Sequence, residues 1–287
     1  MCDSTMLVDD IKTRSFARLG IDSLQTLVYL PQEYGPAKGV NIIVANGTSL
    51  SAETFRLVDK DYCVPYSFTA GSVVNERRLE PRKGQEESKY TVCLPYDLPV
   101  PPGAKVYKLM GRSGGTLTFL QEPRKMETLT PYLVVVSGQT ADLGVGRKRE
   151  IPNTQSAISQ TANNQINVPG YSMRGTMQTI DYKKAAELYA YILQASDNKW
   201  HLVKKAEGYE NANIPAMRTY LLQNGGVGAN SLSMELLDDI EDPDGIDTIR
   251  TIDTDGTERY YDLDGRELPG KPERGIYIRN GKKYISK

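Results

Sequence analysis

His201 is the only histidine among 287 residues, and it limits the available chemistry more than any motif does. A serine or cysteine nucleophile needs an imidazole within reach and a carboxylate to orient it. No spacing in this chain nominates such a set, and no cluster of histidines is available to hold a metal. His201 follows Trp200 in an extended run, so it is expected on a sheet surface. Acidic clusters could serve a hard cation, which takes six to eight oxygen ligands. Asp242-Pro-Asp244-Gly, Asp253-Thr-Asp255-Gly and Asp262-Leu-Asp264-Gly superficially suit such a loop, but none leads into the spaced ligands and distal Glu of an EF-hand. Asp-Gly turns account for them without an ion. The glycine-rich stretches 111–115 and 225–228 lack the following Lys-Ser/Thr of a phosphate loop and read as edge loops. A glycosidase would need paired carboxylates on neighbouring strands, and no spacing selects the pair. The chain is therefore read as non-catalytic, with no cofactor and no metal.

Recognition chemistry is better represented. Tyrosine occurs 18 times against one tryptophan. Aromatic faces on a sheet can stack on sugar rings, and the hydroxyl adds a hydrogen bond. Trp200, Tyr191, Tyr189 and Tyr209 are the candidate platform, with a host glycan or extracellular protein as partner. The competing reading is that tyrosine fills half-buried strand positions. A terminal basic set, which includes Lys282 and Lys283, could attract acidic surfaces or block strand pairing at an edge. The formal net charge of −1 gives no global field for nucleic acid. No apolar run approaches the roughly 20 residues of a membrane-spanning helix. Cys2, Cys63 and Cys93 have no CxxC spacing. Cys63 and Cys93 are read either as two small buried hydrophobes or as a mutual bridge suited to an oxidising compartment.

The elements that must position these groups are strands. From Gly39 to about Met234, short runs rich in β-branched and aromatic residues alternate with Gly, Pro, Asn and Asp. This pattern predicts an all-β fold, an antiparallel β-sandwich or jelly-roll-like module. Residues 181–194 have helix-forming composition, yet 188–193, a turn at Asp197-Asn198 and 200–203 also read as a hairpin, which is the favoured reading. At the C-terminus, Tyr260, Tyr261 and Leu263 precede Asp264-Gly265, and Ile276, Tyr277 and Ile278 precede Asn280-Gly281. Asp-Gly and Asn-Gly tolerate the positive φ of two-residue hairpins, so a small β unit is expected there. Residues 236–247, acidic and broken by Pro243 and Gly245, read as a linker.

Several phrases carry a family resemblance. Residues 15–31 (SFARLGIDSLQTLVYLP) are similar to the SFxxCxSLxxxxLP unit of BspA-like leucine-rich repeats, with Leu19-Gly20-Ile21 standing where the cysteine usually lies. The strings at 65–73 (PYSFTAGSV), 90–98 (YTVCLPYDL), 130–134 (TPYLV) and 214–221 (IPAMRTYL) resemble, in order, the module that follows such repeats. Residues 260–268 and 275–287 resemble the end of type IX secretion sorting domains, with Gly275, Tyr277, Asn280, Gly281, Lys282 and Lys283 as the motif. The stretch after the linker is short for a complete sorting domain. The resemblance implies a remnant leucine-rich-repeat cap over 1–38, a β-sandwich over 39–235, the acidic linker 236–247 and a C-terminal β-hairpin unit over 248–287. It also implies an extracellular or cell-surface protein that engages secretion machinery through its C-terminus. The start, Met1 to Met6, lacks the basic-then-apolar order of a signal peptide, so the chain is expected to be a mature form or a piece of a longer protein.

Overall fold

The strand signals translate into sheets. In the computed structural model of the chain, residues 5–6, 27–34, 39–154, 164–224, 228–238, 259–279 and 282–286 are described. The chain divides into two compact units, Met1–Asp238 and Asp239–Lys287. Among the described residues the fold is all-β and sandwich-like, with one α-helix, Tyr182–Glu187. No described helix is long and apolar enough to cross a membrane.

In the first unit, a six-stranded sheet runs in the order Thr5–Met6, Leu27–Leu30, Ile42–Asn46, Ser49–Leu57, Phe68–Asn75, Arg149–Ile151. Its first three strands are parallel to one another. A hairpin then joins Ile42–Asn46 to Ser49–Leu57 through Gly47 at φ 61°, the left-handed backbone a tight turn requires. Packed against this sheet is part of a ten-stranded sheet. One half of that sheet contains Ser88–Val92, Tyr132–Val136, Ala104–Ser113 and Thr116–Gln121. The other half continues through Ser231–Leu237, Trp200–Leu202, Ala190–Leu193, Arg218–Gln223, Tyr171–Thr176 and Gln165–Val168.

Tyr132–Val136 shows why this sheet has two dry faces. Every residue of its YLVVV run is buried. With a period of two, Tyr132, Val134 and Val136 join Phe55, Phe68 and Val73 in a core between the sheets. Leu133 and Val135 point the other way, into a second core with Tyr171, Met173, Tyr191 and Trp200. Residues from both halves of the ten-strand order share that second core, so the sheet curls on itself. The curl adds parallel pairing, Thr116–Gln121 with Ser231–Leu237, to a sandwich expected to be antiparallel.

The contested stretch 181–194 divides. Asp181 caps the helix Tyr182–Glu187, its carboxylate accepting N–H bonds from Lys183 (2.9 Å) and Lys184 (3.0 Å). Tyr189 then takes φ 55° and ends the helix, and Ala190–Leu193 pairs with Trp200–Leu202 as the expected hairpin. Helix and hairpin are thus consecutive. The cysteine bridge is a correction. Cys63 is disulfide-bonded, while Cys93 keeps a free buried thiol, so the two do not pair. Cys93 is packed against Gly175, where even an added Cβ would approach its Cβ within 2.7 Å, and burial pushes its thiol up to about 12.

In the second unit, Tyr260–Tyr261 pairs with Glu267–Leu268 around Gly265, and Gly275–Arg279 pairs with Lys282–Ser286. Both hairpins expected at the C-terminus therefore form. Asp262 Oδ1 accepts N–H bonds from Asp264 (2.9 Å) and Arg266 (2.8 Å), so its carboxylate supports the turn. The pairs Asp242/Asp244 and Asp253/Asp255 lie outside the described residues.

Candidate functional site

The aromatic platform expected from the sequence does not form. Trp200 and Tyr191 are fully buried inside the curl, Trp200 stacked on Phe119 at 6.4 Å between ring centroids. The Trp200 indole N–H is buried without a partner among the described residues, at a cost of about 1–3 kcal/mol. Burying roughly 200 Å² of ring at about 25 cal/mol per Å² contributes some 5 kcal/mol, so the ring stays inside. Tyr191 meets Tyr171 edge-on at 5.6 Å and donates to the Ala229 carbonyl at 2.7 Å. Tyr209 is half-buried against the cluster beneath the helix, and Tyr189 alone of the four is well exposed, at 63%. The sequence reading assumed a sandwich with one wet face, and the curl makes that face dry. His201 is half-buried and bonded to Asp197 at 2.8 Å, a carboxylate that also accepts the Lys199 N–H. This pairing secures the hairpin turn.

A basic cavity lies elsewhere, at the seam where the edge strand Ser88–Val92 approaches Arg218–Gln223. The seam is not a continuous ladder. Cys93 donates its backbone N–H to the Met217 carbonyl at 3.2 Å. Arg77 completes the bridge, donating Nη1 to Met217 O (3.0 Å) and Nη2 to Thr91 O (2.9 Å). Because side chains replace ladder hydrogen bonds, a cavity of about 190 Å³ remains. Arg77, Arg82, Lys89 and Arg218 line it, and no carboxylate does. Ile192, Leu193, Ile214 and Pro215 supply an apolar wall, and Tyr90 and Thr219 contribute polar groups.

The charges are unevenly paired. Arg218 forms a two-pronged bridge to Asp59, at 2.9 and 2.8 Å. Burial would raise the Asp59 carboxyl, but the hydrogen bonds and charge of Arg218, helped by the Arg77 charge, hold it below the usual carboxylate value. Lys89 lies 3.9 Å from the half-exposed Glu87 carboxylate. Arg82 rests on the Tyr90 ring at 4.4 Å, donates to Lys89 O, and forms no ion pair among the described residues. Arg77 is 7% exposed, and burial, reinforced by the Arg218 charge, pushes its guanidinium down to about 9 against the opposing pull of Asp59. It remains a cation at neutral pH. The Thr219 hydroxyl, on a residue 2% exposed, has no hydrogen-bond partner among the described residues. The site therefore presents excess positive charge beside an apolar wall.

A second cavity, of about 340 Å³, lies around Asp97, Lys125 and Arg149. Two carboxylates, Asp97 and Glu150, line it among three cations, Lys125, Lys148 and Arg149. Asp97 binds Lys125 at 2.7 Å and both the N–H and hydroxyl of Thr128 at 2.8 Å, which keep its carboxyl low despite burial. Among the described residues no group of three or more His, Cys, Asp or Glu converges as metal ligands would. The sequence did not signal the basic cavity, because Arg77 and Arg218 are far apart in the chain and share no motif. In the second unit, Tyr277 of the expected sorting motif is buried and stacked on Tyr284 at 5.6 Å. Gly275 adopts φ 110°, Lys282 and Lys283 lie on the last strand, and Asn280 and Gly281 fall outside the described residues. No protein-family model, curated protein or solved structure matches the chain.

Proposed function

We propose that this chain is a non-catalytic module of an exported cell-surface leucine-rich repeat protein of the BspA-like kind. Its N-terminal strands close the repeat array, its β module spaces or presents the binding part, and its C-terminal unit acts in sorting. The observation that carries this reading is the parallel register in which Thr5 faces Leu27, 22 positions later. A leucine-rich repeat of about 20–29 residues places one strand per repeat side by side in this way. The ladder continues in parallel to Ile42–Asn46 and turns antiparallel at the next strand, Ser49–Leu57. Such a reversal gives a repeat stack an end that cannot propagate, which is what a terminal cap must provide. The disulfide at Cys63 suits an oxidising compartment.

The test is to fuse consensus leucine-rich repeats in phase before residue 1 and follow their unfolding. Capping predicts one cooperative transition shared by the repeats and the module, with a higher midpoint than the repeats have alone. Two independent transitions, with the repeats no more stable than in isolation, reject it.

A further inference from the structure

The basic cavity at the sheet seam is not needed for capping. The geometry points to a receptor for a compact organic oxyanion, a carboxylate, sulfate or phosphate group on a small apolar body, held by Arg77, Arg82 and Lys89. Four cations face this cavity and no carboxylate lines it. Asp59 neutralises Arg218, and Glu87 reaches only Lys89. Arg77 and Arg82 are left without an ionic partner among the described residues, in a chain whose overall charge is −1. Positive charge concentrated in a low-dielectric seam attracts an anion more strongly than the same charge in water.

The guanidinium groups suit this task in different ways. Arg77 spends two of its N–H donors on the Met217 and Thr91 carbonyls, which fixes its plane. Arg82 sits over the Tyr90 ring and donates one N–H to the Lys89 carbonyl, which restrains its head and leaves further N–H donors. A planar fork held in one orientation matches the paired oxygens of an oxyanion. Ile192, Ile214 and Pro215 give an organic body somewhere to rest, and about 190 Å³ admits a group of several heavy atoms but not a chain. The cavity around Asp97 differs, because two carboxylates, Asp97 and Glu150, line it among its three cations.

The experiment titrates the full chain with benzoate, phenyl sulfate and phenyl phosphate at low chloride, read by calorimetry and amide shifts. At least one probe should bind saturably with one-to-one stoichiometry, and the one preferred distinguishes a planar carboxylate from a tetrahedral anion. Arg82→Gln and Lys89→Gln, at half-buried positions outside the Arg77 bridge, should each weaken binding about tenfold, the loss expected for one charge-assisted hydrogen bond. Lys148→Gln, at the other cavity, should bind as the parent does. Absence of saturable binding by all three probes overturns the inference, as does equal binding by whichever of the two variants folds. This inference stands apart from the capping proposal: repeat fusions report on one and oxyanion titration on the other.

Discussion

Asp59 illustrates how one side chain serves both the fold and the site. Its carboxylate fixes Arg218 through two hydrogen bonds and stands close enough to Arg77 to feel its charge. Because the folded carboxyl is held below its unfolded value of about 4, its stabilisation is complete above pH 4 and disappears as pH falls through the folded value. Asp59→Asn should therefore lower stability at pH 7 by roughly 1 kcal/mol, a figure kept small because the pair is partly exposed to solvent. Once pH has fallen below the folded value of Asp59, the difference from the parent should vanish, since both then lack the charge. Asp97 and Asp238 are lowered too, so the variant stays acid-sensitive but with a shallower limb. Urea midpoints measured from pH 2 to 8 check this, and equal midpoints at pH 7 reject it.

At the scale of elements, the segment around Tyr189 shows what local sequence can and cannot report. Composition favoured a helix and alternation favoured a hairpin, and each signal is correct for its own half of the stretch. The junction rests on Tyr189 at φ 55°, where glycine or asparagine is the usual choice. Its side chain is mostly solvent-exposed, so little packing offsets the strain. Tyr189→Gly should raise stability by about 0.5–1 kcal/mol, and β-branched Tyr189→Val should lower it. A destabilised glycine variant in urea unfolding shows that the ring contributes more than its exposure implies. Strands with strong β-branched runs, such as Tyr132–Val136, were legible because period-two patterning is local. Ser231–Leu237 was not, since its partner Thr116–Gln121 lies far back in the chain and pairs in parallel. The same distance explains the misplaced platform. Trp200 and Tyr191 look like one wet face until the sheet curls over them, and curling is a long-range property. The basic cavity escaped for a related reason: Arg77 and Arg218 lie far apart in the chain, and only the seam brings them together.

For the whole molecule, the division into two compact units means each can be probed by its own unfolding transition. The second unit is small, and units of this size are marginal unless their few core residues pack well. Tyr277 is buried at 4%, stacked on Tyr284 and met edge-on by Tyr260 at 5.5 Å. Removing that ring by Tyr277→Ala should cost about 3 kcal/mol, enough to unfold a unit so small. The first unit draws its stability from separate cores, so its melting transition should not move. If the C-terminal unit is the sorting element, the same substitution in the exported parent protein should abolish surface display, as should deletion of residues 275–287. Calorimetry on the isolated chain and surface labelling of the parent separate the possibilities. Display retained after both changes rejects sorting, and a shift of the first unit's transition on Tyr277→Ala rejects the energetic independence of the two units.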